Sequence, residues 1–295
     1  MQPGTIDDIV YWDTASPWWG VSRLRLLCAG RKFDMAFVLP FSGERFVSRF
    51  KKYVLLRLAG IHCPVYGVKS PKTTHPLPQV FAAMGALDEA RIPINQGGAY
   101  KLYVNEEDHG WVEENIRARG WGGKQIISVF PAGTYVHKRW PSENFVELLD
   151  RVVRSQEVKI VFIGTASEGG LANEIIARMQ CNKSDVWVAC GETNLQQLAA
   201  LLARSTVFVG NDGGPAHLAA AVGIPCVTLM SGVHPAGVWD PFGPKCVSIR
   251  ESVPCEACLS ELSCPQKNPI CITRISISRV EEVVLTLLQK ARHER

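Results

Sequence analysis

The segment from Val207 to Met230 sets the terms for the fold. Val207 to Val209 is an apolar, β-prone run, Asn211 to Gly214 is a turn cluster, and Cys226 to Leu229 is a second apolar strand. Pro215 suits the first turn of a helix, where its missing N–H costs nothing. Gly223 is placed to stop that helix. Strand, turn, short helix and strand in such close succession read as a βαβ unit. Asp212, Gly213 and Gly214 then lie where a strand ends and a helix begins. Backbone N–H groups at a helix start favour an anion, and glycines let one approach the backbone closely. His217 follows one turn into the helix, within reach of the same anion. The alternative is a plain crossover turn in which Asp212 caps the helix and His217 is a face residue. The local pattern weighs these two readings evenly.

The rest of the second half repeats the alternation. Strands are expected at Ile126–Phe130, Lys159–Ile163, Val186–Ala189, Val207–Val209 and Cys226–Leu229. Helices are expected at Ser142–Arg154, with Ser142 as a cap, at Glu168–Met179 and Leu195–Ala203, and from Arg279 to about Lys290. Apolar strands alternating with helices imply a parallel sheet covered on both faces. Ligands of such sheets bind beyond the carboxyl ends of the strands. Turn-rich Gly120–Lys124 marks a boundary, giving domains of 1–122 and 123–295. Upstream, strands are expected at Ile6–Trp12, Asp34–Leu39 and Val65–Val68. Helices are expected at Val21–Ala29, Glu44–Ala59, Pro78–Ala86 and Asp108–Arg119.

Composition narrows the functional classes. The apolar fraction of 46% and charged fraction of 20% over 295 residues describe an ordinary globular protein with cores to bury. A net charge of +4 suits an anionic substrate but is too mild to argue for nucleic acid, and no nucleic-acid-binding motif is present. No apolar run reaches the ~18 residues of a membrane span. The first residues have neither the basic start nor the apolar stretch of a secretion signal. With 10 cysteines, the reading is a cytoplasmic chain with reduced thiols.

Three segments carry a resemblance. Asp212-Gly-Gly-Pro-Ala-His-Leu-Ala-Ala-Ala-Val-Gly-Ile-Pro225 resembles a motif of glycosyltransferase family 9, the bacterial heptosyltransferases. Ile127-Ser-Val-Phe-Pro-Ala-Gly-Thr-Tyr-Val-His-Lys-Arg-Trp-Pro141 is similar to that family's strand, turn and Lys-Arg-Trp-Pro. Phe162-Ile-Gly-Thr-Ala-Ser-Glu168 is similar to its strand-Gly segment ending in Glu. The three stand in the family's order and cover about residues 125–290. The resemblance implies the α/β GT-B arrangement, two Rossmann-like domains facing a cleft. It implies transfer of heptose from ADP-heptose to a lipopolysaccharide-core or related glycolipid acceptor, from the cytoplasmic side of the inner membrane. No metal and no cofactor are implied.

Glycosyl transfer requires the nucleotide to be held, the leaving diphosphate to be stabilised and the acceptor hydroxyl to lose a proton. By resemblance, Lys138 neutralises a phosphate, and Asp212, Gly213, Gly214 and His217 form the diphosphate cradle. Asp212 is itself an anion, so its part is to cap the helix or to orient His217 or the sugar. Glu168 matches the family position that holds the ribose hydroxyls. The plain alternatives are an exposed loop lysine and an acid favoured at a helix start. The family's base is an Asp in a Gly-Asp turn after the first strand, and this sequence contains no Gly-Asp dipeptide. The expectation is an abbreviated N-terminal domain without its first βα unit. Asp13 is then the candidate base, and the alternative function is an inactive or truncated nucleotide-sugar-binding protein.

Other features point less sharply. Cys255, Cys258, Cys264 and Cys271 have the close spacing of a structural zinc site, with disulfides and free thiols as alternatives. The helix expected at Glu44–Ala59 has apolar Phe46, Val47, Phe50, Val54 and Leu58 on one face and Arg45, Arg49, Lys51, Lys52 and Arg57 on the other. Its default is to pack on a sheet, and a peripheral membrane contact is the alternative. His62, His75, His109, His137 and His234 show no metal spacing.

Overall fold

The structure is a computed structural model that describes residues 17–38, 46–66, 102, 104–260 and 262–293. The chain divides into two compact units, Met1–Gly98 and Ala99–Arg295.

The first unit contains α1 (Pro17–Cys28), β1 (Ala36–Phe37), α2 (Phe46–Leu58) and β2 (Val65–Tyr66). The two strands pair in parallel, Ala36 opposite Val65 and Phe37 opposite Tyr66. The Phe37 and Tyr66 rings stack with centroids 5.7 Å apart. On α2 the stripe formed by Phe50, Val54 and Leu58 is exposed, so these three residues do not pack on a sheet as expected. The strand expected at Ile6–Trp12 and the helix at Pro78–Ala86 lie outside the described residues, as does Asp13.

The second unit is a three-layer α/β/α domain. Its elements are α3 (Glu106–Ala118), β3 (Gln125–Phe130), α4 (Ser142–Ser155), β4 (Val158–Phe162), α5 (Gly169–Arg178), β5 (Val186–Val188), α6 (Leu195–Arg204), β6 (Val207–Asn211), α7 (Gly214–Val222), β7 (Cys226–Leu229), β8 (Cys246–Ile249) and α8 (Ile277–His293), with a single helical turn at Ile270–Thr273 before the last. The strands form one parallel sheet in the order β5-β4-β3-β6-β7-β8. The chain therefore winds outward from β3 in one direction, returns to β6 beside it, and winds outward in the other. The reversal lies between β3 and β6, where Ile127 pairs with Val207 and Phe130 with Gly210.

The strand residues alternate between two cores, as the period of two demands. Ile127 and Val129 join Phe145, Leu148 and Val152 of α4, Ile175 of α5, and Val280, Val284 and Leu288 of α8. Ile126 and Phe130 join Val112 and Ile116 of α3, Leu201 and Leu202 of α6, and Ala216 and Ala219 of α7. Each large side chain so buried stabilises the sheet by about 1.5–3 kcal/mol. Helix α3 precedes residue 122, yet it belongs to the second unit because Val112 and Ile116 complete this second core. Asn105 starts it, its side chain accepting from the Asp108 N–H at 2.8 Å.

Two expected caps are absent. Ser142 is the first residue of α4, not its cap; Pro141 holds the cap position without a side-chain bond. Asp212 does not cap α7: Gly213 does, again with no side-chain bond. At the other end Gly223 terminates α7 with φ of 83°, a left-handed conformation that glycine adopts without strain.

Candidate functional site

The ends of β3 and β6 meet at the reversal of the sheet, the place where open parallel sheets bind ligands. Asn211, the last residue of β6 and 1% exposed, fastens the two ends together. Its Nδ2 donates to the carbonyls of Pro131 (2.7 Å) and Ala132 (3.0 Å), and its Oδ1 accepts from the Trp140 N–H at 2.9 Å. Sequence reasoning passed over Asn211 as a turn residue. The available signal was an amide immediately before Asp-Gly-Gly, at the end of a wholly apolar strand.

The Lys-Arg-Trp-Pro stretch is built around this tie. Trp140 is buried, donates from Nε1 to the Ile275 carbonyl at 3.1 Å and meets Phe145 edge-on at 5.0 Å. Arg139 turns back and donates to the Gly133 carbonyl from Nε (2.8 Å) and from its Nη2 (2.5 Å). Lys138 sits at the end of a 3-10 turn (Val136–Lys138), its ammonium 5.2 Å from the centre of the Tyr135 ring.

Helix α7 starts at the same place. Gly213 is extended, and a Cβ there would lie 2.8 Å from the Phe130 ring, so close packing excludes a side chain. At Gly214 the reverse holds: a Cβ would meet nothing within 4 Å. No unusual backbone angle requires glycine at 214, and the openness on the ligand side is what distinguishes it.

The electrostatics tie four loops together. Burial pushes the Asp212 carboxyl above its usual range, against the pull of His217, Lys138 and His234. Burial pushes His217 below its usual value, against Asp212 and Asp240. Burial also opposes charge on Asp240, but Arg250 prevails and holds that carboxyl below its usual range. Arg250 grips both Asp240 oxygens, at 2.8 and 2.7 Å, and the Gly237 N–H adds a third bond at 3.0 Å. His234, scattered in the sequence, thus joins the Asp212 group from the loop after β7. It meets the Trp239 ring edge-on at 6.0 Å.

Beside these groups opens a cavity of about 690 Å³. Gly214, Pro215, His217 and Leu218 of α7 form one wall, and Leu195 and Leu198 of α6 another. Gly164, Thr165 and Glu168 line the third side. The size falls in the ordinary range for small-molecule sites, apolar walls with a few polar groups. Glu168 is engaged locally: its Oε2 accepts from the Thr165 N–H (2.7 Å) and hydroxyl (3.0 Å), closing a capping box at the cavity mouth. Five of the six predicted residues, all but Lys138, thus face this cavity or adjoin its α7 wall; Lys138 is linked to them through Asp212.

Residues 101–268 match the model of glycosyltransferase family 9 (heptosyltransferase). The chain belongs to this family. Lipopolysaccharide heptosyltransferase 1 of Pseudomonas aeruginosa is 26% identical over 239 residues, covering 74% of this chain and 65% of that protein. Lipopolysaccharide heptosyltransferase 2 of Salmonella typhimurium is 33% identical over 100 residues, 33% of this chain and 28% of that one. The chain spans less than two thirds of the length of these relatives. Among solved structures, a family 9 glycosyl transferase from Veillonella parvula is similar with a TM-score of 0.74 at 18% identity, covering 95% of this chain and 81% of that one. The ADP-heptose lps heptosyltransferase II of E. coli follows with 0.72 at 21%, covering 97% and 85%. The fold is the α/β GT-B type of these structures.

Proposed function

We propose that the chain is a glycosyltransferase of the heptosyltransferase type, using ADP-heptose as donor and a lipopolysaccharide-core or related glycolipid as acceptor. One observation carries the reading. A nucleotide-sized cavity opens at the reversal of the sheet, flanked by the start of α7 and by His217, with Lys138 linked to them through Asp212. The names of the relatives supply the sugar and the acceptor class.

In this reading the second unit, Ala99–Arg295, holds the donor and the first, Met1–Gly98, serves the acceptor. The nucleoside lies between α6 and α7, with Glu168 turned from Thr165 toward the ribose diol. The diphosphate meets Gly213 and Gly214, His217 and Lys138. As the bond between the anomeric carbon and the phosphate oxygen breaks, charge grows on the diphosphate. An ammonium, an imidazole and a helix start are suited to stabilise it. The acceptor oxygen bonds to the anomeric carbon and passes its proton to a base, for which Asp13 is the candidate. Exposed Phe50, Val54 and Leu58, near Lys51, Lys52 and Arg57, suit a peripheral contact with the anionic surface where a lipid acceptor resides.

The test is to incubate the full chain with ADP-heptose and lipopolysaccharide core lacking heptose, and to read the acceptor's mass. A gain of one heptose is expected. Donor binding by calorimetry with no transfer to any core acceptor would leave the nucleotide-sugar-binding alternative in its place.

A further inference from the structure

Strands β7 and β8 place two cysteines side by side. The strands are parallel, with Cys226 opposite Cys246, Val227 opposite Val247 and Thr228 opposite Ser248. Paired residues of neighbouring strands point to the same face, and both cysteines belong to the core built with α3, α6 and α7. Neighbouring strands lie about 4.7–4.9 Å apart, inside the roughly 4.4–6.8 Å between Cα atoms that a disulfide spans. Both residues are free thiols in this structure, and a hydrogen bond joins their side chains.

The two thiols differ in exposure. Cys226 is buried, whereas Cys246 is half-buried at the start of the edge strand, after exposed Pro244 and Lys245. The bond between them pushes Cys226 up and holds the Cys246 thiol below its usual value, against the burial that opposes its charge. The thiol nearer solvent thus has the greater thiolate character, and the thiolate is the form that attacks oxidants. Cys226 also lies under α7. Its Sγ is 3.6 Å from the Ala216 carbonyl oxygen and 3.3 Å from the Thr228 hydroxyl. Ala216 immediately precedes His217. The turn into β8 closes the same space: a Cβ on Gly243 would lie 3.2 Å from the Cys246 Sγ and 3.9 Å from the Ala220 carbonyl oxygen of α7.

We propose that Cys226 and Cys246 form an oxidation site that a peroxide converts reversibly to a disulfide, and that closing this bond frees the first turn of α7 from β7. The Cys246 thiolate attacks one peroxide oxygen and the O–O bond breaks. The departing hydroxide takes up the proton that Cys246 released and leaves as water, and Cys246 is now a sulfenic acid. The Cys226 sulfur then attacks the Cys246 sulfur, the S–O bond breaks, and the second hydroxide leaves as water with the Cys226 proton. Each sulfur gives up one electron and the peroxide accepts both. A partly exposed thiolate beside a resolving thiol is the arrangement that favours this sequence over further oxidation. The new bond draws the sulfurs to about 2.0 Å. The Cys226 sulfur must swing toward β8 and away from the Ala216 carbonyl, so α7 loses a contact beneath the turn that carries Gly214 and His217.

The test uses the full chain, reduced and then treated with hydrogen peroxide. Remaining thiols are alkylated and the chain is cut with trypsin without reduction. Cleavage after Arg204, Lys245 and Arg250 leaves Cys226 as the one cysteine of peptide 205–245 and Cys246 as the one cysteine of 246–250, with Cys255, Cys258, Cys264 and Cys271 in other peptides. The two peptides should appear joined, lighter than their sum by two hydrogens, and should separate again under a dithiol reductant. In Cys226→Ala a sulfenic acid should accumulate at Cys246 and be trapped by dimedone, whereas Cys246→Ser should yield neither product. Should Cys226→Ala fail to fold, Cys246→Ser and the unaltered chain decide. Amide hydrogen exchange over residues 214–222 should be faster in the oxidised chain than in the reduced one. Peroxide that oxidises other cysteines and leaves these two peptides unjoined overturns the proposal, and so does unchanged exchange in α7. Neither readout involves a nucleotide, so ADP binding by the reduced chain, which bears on the proposed function, succeeds or fails separately.

Discussion

Asn211 and Trp140 are joined by a 2.9 Å hydrogen bond between the Asn211 carboxamide oxygen and the Trp140 backbone N–H, fully buried at the end of β6. The same carboxamide donates to two carbonyls of the β3 loop. One side chain thus sets the distance between the turn that carries Lys138 and the start of α7.

Asn211→Ala should therefore be costly in two ways. It leaves a buried N–H and two buried carbonyls without partners, and each such group costs about 1–3 kcal/mol. A loss of roughly 3 kcal/mol or more of unfolding free energy is expected by urea titration. ADP affinity should fall at temperatures where the variant is still folded, because the Lys138 turn is no longer tied to α7. Wild-type stability in the variant would mean that water or backbone adjustment replaces the tie.

Gly213 and Gly214 should respond differently to the same change. A Cβ at 213 meets the Phe130 ring at 2.8 Å, so Gly213→Ala overpacks the sheet end and should destabilise by about 1–3 kcal/mol. A Cβ at 214 meets nothing, so Gly214→Val should leave the melting temperature nearly unchanged while abolishing nucleotide binding, its side chain occupying the ligand's space. Normal ADP binding by Gly214→Val would reduce this glycine to a turn residue.

Much of this was legible beforehand. Strands expected at Ile126–Phe130 and Cys226–Leu229 agree with β3 and β7 within one residue, because both faces of a parallel strand are buried and the apolar run is unbroken. Edge strand β8 was not foreseen. Cys246 to Ser248 are only half-buried, and the chain reaches them through a loop of prolines and glycines instead of a helix. The caps misled for a related reason: Ser142 and Asp212 have capping chemistry, but Pro141 and Gly213 occupy the positions that matter. Long-range ties leave no local trace. The pairing of Asp240 with Arg250 and the approach of His234 to Asp212 depend on where two loops return, which periodicity does not report.

Lys138 should contribute to binding and little to the fold. Its neighbours Arg139 and Trp140 carry the structural contacts of the turn. Lys138→Ala is expected to weaken ADP binding by roughly 1–3 kcal/mol, the range for a charged hydrogen bond, with a melting curve close to wild type. Calorimetry in low and high salt separates the contributions: the variant should lose much of the salt dependence, since a charge facing a diphosphate is screened. An unchanged dissociation constant would return Lys138 to the role of a loop lysine.

The pH dependence of binding should follow His217 and Asp212 with opposite signs in the free chain. His217 has its folded pKa pushed below its ordinary value by burial. Its contribution to stability is therefore complete above the unfolded value of about 6.5 and is lost as pH falls through the folded pKa. Asp212 has its folded pKa raised by burial, so its contribution is present below about 3.9 and is lost as pH rises through the folded value. Hence Asp212→Asn should make the free chain more stable at pH near 7, even as it disturbs the site. A diphosphate beside His217 favours the imidazolium and raises its pKa, so binding takes up protons. ADP affinity should strengthen as pH falls below about 6.5, and calorimetry in buffers of different ionisation enthalpy should register the uptake. In His217→Asn the dependence over that window should flatten. Equal affinity of the unaltered chain above and below it, with no proton uptake, would place the diphosphate away from His217 and the start of α7.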